Sequence, residues 1–172
     1  MSNIFLKLDG IPGESCQVGR RDWVEVLEVQ WWAGHKEEVL RGAGIPSFDP
    51  VKLVKRVDKS SPLLAVACAT GMLLKDAIFE FVLLEKTPRS PDSKVTTFLP
   101  PFYRIRLGDV GISRVESRTV LSDDQRPDST SQVETVTLDF AEIKWEYTEL
   151  KPDGTKRGDI ITGWSLKKVM PI

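Results

Sequence analysis

The chain has 172 residues, with 24 Lys plus Arg against 25 Asp plus Glu and a net charge of -1; 41% of residues are apolar and 28% charged. These values suit one ordinary globular domain over 1–172, long enough to bury a core. They lack the basic excess of a nucleic-acid binder and any run of about 18 apolar residues able to span a membrane, and one histidine (His35) with two distant cysteines (Cys16, Cys68) argues against a zinc site, which wants four good ligands.

Period-two alternation dominates from the N-terminus onward and predicts strands with one buried face. Ile4, Leu6 and Leu8 alternate with Phe5, Lys7 and Asp9. Lys7 and Asp9 interrupt this apolar stretch too early for a signal peptide, so folding in the cytoplasm is expected. The segment 22–32, rich in Val and Trp, predicts a second strand. Ser60-Ser61-Pro62 then offers a capping serine and a proline at the first helical position. An apolar run follows to a stop at Gly71, which predicts one helix over about residues 62–70, buried on most sides.

Segment 77–85 is apolar on both parities and predicts a strand covered on both faces. Tyr103, Ile105 and Leu107 alternate with Arg104, Arg106 and Gly108. In 133–150 the apolar phase flips, from Val136, Leu138 and Phe140 to Ala141, Ile143, Trp145 and Tyr147. A strand cannot change faces without an extra residue, so a bulge or corner is expected near Phe140–Ala141. A last strand near 160–169 carries Trp164. Loops are expected at 10–21, 33–50, 86–101, 122–131 and 151–158, the last turning at Lys151-Pro152-Asp153-Gly154. Seven to nine strands and one short helix predict a mainly β fold, a sandwich or small barrel.

The residues that could carry chemistry point away from catalysis. Cys68 falls inside the apolar helix, where a cysteine is inert packing. Cys16 and His35 could in principle form a nucleophile–base pair, but His35 precedes Lys36-Glu37-Glu38 in a polar segment. Glu37-Glu38 and Asp123-Asp124 fall in polar loops, without the burial that raises a carboxyl pKa for acid–base work. Arg41-Gly42-Ala43-Gly44 lacks the Gly-Lys-Ser/Thr of a phosphate loop. The five tryptophans Trp23, Trp31, Trp32, Trp145 and Trp164 have no basic groove to help them stack bases, so they are assigned to packing. The basic pairs Arg20-Arg21 and Lys167-Lys168 are expected on the solvated surface. No catalytic, cofactor-binding or metal site is assigned.

In order along the chain, several segments resemble one family. Ile4-Phe5-Leu6-Lys7-Leu8-Asp9-Gly10-Ile11-Pro12-Gly13-Glu14-Ser15 is similar to the opening strand and Gly-Glu-Ser turn of the haemolysin-coregulated protein (Hcp) family. Val24 to Trp31 resembles its second strand. Val57-Asp58-Lys59-Ser60-Ser61-Pro62, continuing through Ala67-Cys68-Ala69-Thr70-Gly71, resembles the entry into its single helix. Val136-Thr137-Leu138-Asp139-Phe140-Ala141-Glu142-Ile143 and Thr162-Gly163-Trp164-Ser165 resemble two later strands. Segment 33–50, which corresponds to the family's extended loop, is less glycine-rich and more charged than in relatives; segment 86–101 is richer in proline.

The resemblance implies a small β-barrel of two antiparallel sheets with the helix packed at its side. It implies a structural, non-enzymatic role as the inner-tube subunit of a type VI secretion system. Implied with it are a homohexameric ring, stacking of rings, a spike protein at the tip, a sheath around the tube and small effectors in the channel. Export would follow without a signal peptide, with no cofactor, nucleic acid or membrane insertion. Enlarged relatives carry a toxic C-terminal domain, which is not expected after Ile172. The competing reading is a monomeric ligand-binding β-barrel, its aromatics lining a pocket.

Overall fold

A computed structural model describes residues 3–36, 45–85, 97–121, 130–151 and 155–172. Among them are eleven strands and one helix: β1 (Ile4–Leu8), β2 (Val24–Gln30), β3 (Ala33–Lys36), β4 (Ile45–Phe48), β5 (Val51–Arg56), α1 (Ser61–Thr70), β6 (Leu73–Glu85), β7 (Thr97–Leu121), β8 (Thr130–Asp139), β9 (Glu142–Leu150), β10 (Lys156–Ser165) and β11 (Met170–Pro171). This exceeds the seven to nine strands expected. The surplus includes β3 and β4, which pair as a ribbon inside segment 33–50, expected as a loop. The expected final strand starts earlier, at Lys156, and ends at Ser165.

The fold is mainly β and forms an antiparallel barrel. The main sheet runs β11-β10-β9-β7-β6-β1-β2-β5-β8, and β8 pairs back onto β7. Six strands therefore close a ring, β7-β6-β1-β2-β5-β8. The second sheet is the β3–β4 ribbon. Closure depends on the length of β7. Its Tyr103–Gly108 stretch pairs with β9, and its Gly111–Leu121 stretch pairs with β8. The corner expected at Phe140–Ala141 is where the chain passes from one stretch to the other, held by Ala141 N–H donating to the Gly108 carbonyl at 3.0 Å. β9, β10 and β11 thus leave the barrel as an extension.

Cross-strand register explains the core. One inward row is Val24, Leu6, Phe79, Ile105 and Trp145; the next is Leu8, Ala77, Leu107 and Ile143. Leu6, Leu53, Phe79, Ile105 and Leu138 are each at most 1% exposed and fill the interior. Burial of each such side chain contributes about 1.5–3 kcal/mol. Within 77–82 β6 is covered on both faces as expected, with Phe79 inward and Glu80 and Val82 buried, whereas Leu83 is exposed.

Glu80 is covered by the 10–21 loop, which requires one correction. Arg20 is not solvated surface. It is 7% exposed, its Nε donates to Glu80 at 2.8 Å, and its guanidinium lies over the Phe5 ring. Phe5, outward by parity, is buried under it. The loop is held by backbone pairing of Gly13 to Asp22 and Ser15 to Trp23. A Cβ at Gly13 would lie 2.4 Å from the Trp23 carbonyl oxygen and 2.5 Å from Val24 Cα, so only glycine permits this approach. Gly13→Ala is expected to cost about 1–3 kcal/mol as the backbones separate, read as a lowered urea midpoint at unchanged slope.

Helix α1 ends as expected at Gly71, whose left-handed φ of 65° lets its N–H reach the Cys68 carbonyl. Two other expectations fail. Ser60 makes no side-chain cap. Nor is the helix buried on most sides: Leu64 and Ala67 are buried, whereas Leu63 and Val66 are exposed. In a single copy the helix has only one face against the barrel, so its other apolar face meets solvent.

Candidate assembly surface

The Asp58-Lys59-Ser60-Ser61-Pro62 segment anchors the helix through residues outside it. Lys55, on β5, is fully buried. Its Nζ lies 2.8 Å from Asp58 Oδ1, 2.7 Å from Glu134 Oε1 and 3.1 Å from Ser61 Oγ. Ser61 Oγ donates to Glu134 Oε1 at 2.8 Å. Asp58 Oδ1 accepts from Ser60 N–H at 2.8 Å, so the aspartate takes the capping role expected of the serine. Lys55 and Glu134 are direct cross-strand partners, in line with the inward pairs Leu53–Val136 and Val51–Leu138. Strand parity carries this signal: both charges sit where apolar residues belong. Sequence reasoning missed them because Lys and Glu read as solvated by type.

Around this anchor, Lys59 pairs with Asp22 at 2.7 Å on the surface. That hydrogen bond holds the Asp22 carboxyl below its usual range and raises the Lys59 ammonium above its own. The outer face of the barrel carries a second network. Glu80 bridges Arg20 and Arg104, and Glu146 bridges Arg104 and Arg106. Register sets it, with Glu80, Arg104 and Glu146 in one cross-strand row.

The ribbon is clasped to the extension by aromatics. Phe48 stacks on Trp145 and Trp164, with centroids 6.3 and 6.4 Å away, and meets Phe140 edge-on. Trp31 lies 5.4 Å from Trp145. Beyond this clasp the inward face of the extension is uncovered. The row Ile4, Phe81, Tyr103, Tyr147, Ile160 starts in the barrel. It grows more exposed outward: Tyr103 is half-buried, which raises its phenol pKa, and Tyr147 and Ile160 are exposed. Leu63 and Val66 on the helix, and Met72 and Leu73 just after it, are exposed as well. Contiguous exposed apolar surface is what an interaction site requires, which makes the helix face and the extension the candidates.

The family described as "Type VI secretion system effector, Hcp" matches residues 5–147. The chain belongs to the Hcp family. Among solved structures, the fold is similar to "a type six secretion system protein" (TM-score 0.79, 23% identity, all of both chains). It is similar also to Hcp1 from Salmonella typhimurium (TM-score 0.70, 27% identity, all of both chains). A type VI secretion system effector from Yersinia pestis is likewise similar (TM-score 0.66, 23% identity, 94% of this chain and 98% of that one). No curated protein matches the sequence. Membership makes the chain a type VI secretion protein, and no helix among the described residues is long and apolar enough to cross a membrane.

Within this Hcp fold the sequence candidates are scattered. Cys16 is exposed in the loop after β1, its thiol facing the Glu14 carbonyl. His35 lies on β3 opposite Pro46. Cys68 is half-buried on α1. Trp145 and Trp164 belong to the clasp, and Trp31 and Trp32 are exposed beside it. Glu37-Glu38, Arg41-Gly42-Ala43-Gly44 and Asp123-Asp124 lie outside the described residues. No group of three or more His, Cys, Asp or Glu among the described residues could hold a metal ion.

Proposed function

We propose that this chain, a single Hcp barrel over 1–172, is a structural subunit of the type VI inner tube and not an enzyme. Six copies form a ring, rings stack, the spike caps the stack, the sheath surrounds it and small effectors travel in the channel. The chain folds in the cytoplasm and leaves through the machine without a signal peptide. The observation that carries this reading is where the apolar surface lies. The barrel interior is filled by its own side chains, while apolar faces remain open outside, on the helix and on the extension. A ring subunit needs such outward surfaces; a ligand carrier needs its opening inside. Release of the chain into the medium is expected from cells with an intact sheath and not from sheath-deficient cells. Equal release from both contradicts the reading.

A further inference from the structure

We propose that the cavity between helix α1 and strands β7 and β8 binds a small organic ammonium ion with an apolar body. The proposal goes beyond the tube reading and does not depend on it. The cavity measures about 460 Å³, within the roughly 300–1,000 Å³ of small-molecule sites. Ala65, Cys68 and Ala69 of the helix and Val115 of β7 give it apolar walls, and Glu134 of β8 is its one charged residue. The other polar side chains that line it, Ser61, Ser117 and Gln132, are neutral.

Glu134 gives the cavity its chemistry. It is 3% exposed, and its Oε1 is committed, 2.7 Å from Lys55 Nζ and 2.8 Å from Ser61 Oγ. Its Oε2 accepts no hydrogen bond among the described residues. Among those residues Trp145 Nε1 is the side-chain polar atom that is both sealed from solvent and unpartnered. Oε2 is therefore not sealed, and the space it opens on is the cavity that Glu134 lines.

The charge count points the same way. Lys55 meets two carboxylates, Asp58 and Glu134, which leaves the group one positive charge short. Lys59, next in the chain, is committed to Asp22. A buried carboxylate is stable when each oxygen has a donor and the charge a partner. An ammonium donating to Glu134 Oε2 supplies both, while its apolar body lies against Ala65, Ala69 and Val115. An anion would meet Glu134 unpaired, and a purely apolar molecule would leave Oε2 without a donor.

Cys68 reports on the site, since it lines the cavity and is a free thiol. In the full chain carrying Cys16→Ser, the reaction of Cys68 with dithiodipyridine, which attacks thiols and not amines, is followed with added cyclohexylammonium chloride, cyclohexanol or sodium chloride. Cyclohexylammonium is expected to slow the reaction several-fold and saturably, and the other two to leave it unchanged. Glu134→Gln keeps an acceptor oxygen, removes the charge, and is expected to lose the protection. Ser117 stands directly opposite Glu134 across the strands, so Ser117→Lys brings a tethered ammonium to the site and is expected to melt higher than Ser117→Met. Equal slowing by cyclohexanol, no slowing by cyclohexylammonium, or protection that survives in Glu134→Gln overturns the proposal. So does a Cys68 that reacts only on unfolding, because the cavity is then closed. Where Glu134→Gln does not fold, a Ser117→Lys protein that melts no higher than Ser117→Met overturns it instead.

Discussion

Lys55→Ala is expected to be among the most destabilising single changes in this fold. The substitution leaves Glu134 and Asp58 facing a site that has lost its cation, with Ser61 Oγ as the remaining nearby donor to Glu134. Breaking a buried ion pair by removing one partner costs about 3–5 kcal/mol. For a chain of this size that lowers the melting temperature by roughly 10 °C. Replacing both partners, Lys55→Met with Glu134→Leu, is expected to recover most of the loss, since apolar substitutes at buried pairs are often neutral. Lys52→Ala, exposed on the opposite face of β5, is the control, expected within about 0.5 kcal/mol. Thermal unfolding of the four proteins checks this; a Lys55→Ala melting temperature equal to that of the control contradicts it.

Val66→Glu is expected to abolish assembly while the subunit stays folded. Val66 is 58% exposed in the single copy, so glutamate there is solvated and changes subunit stability by no more than about 0.5 kcal/mol. In the proposed ring the exposed apolar helix face is an assembly surface, and a carboxylate buried there without a cation costs several kcal/mol. Ile160→Lys, on the exposed face of the extension, is expected to weaken assembly likewise. Size-exclusion profiles beside circular dichroism separate lost assembly from lost folding.

Much of the fold was legible in the sequence because one-sided strands write their burial as alternation. Ile4-Leu6-Leu8 and Tyr103-Ile105-Leu107 face inward as parity demands. The phase flip at Phe140–Ala141 marks the corner that lets β8 and β9 share one edge of β7. The proline start and glycine stop located the helix. What was not legible depends on partners distant in sequence. Arg20 reads as surface until Glu80, 60 residues on, and Phe5 enclose it. Lys55 and Glu134, 79 residues apart, are found only when β5 and β8 are put in register. The β3–β4 ribbon was hidden because its strands are short and hold polar, Gly and Pro residues; what fixes it is Phe48 seated on Trp145 and Trp164. The exposed helix face was misread for the opposite reason. Its apolar sequence signals burial on most sides, whereas only Leu64 and Ala67 are buried.

A tube subunit of the proposed kind must associate with copies of itself into a closed ring. Absolute mass by light scattering after size exclusion, with electron images of the same peak, tests it most directly. Six copies of 19.3 kDa predict about 116 kDa and an open six-fold ring. A single species near 19.3 kDa at every concentration, with no ring in the images, would contradict it.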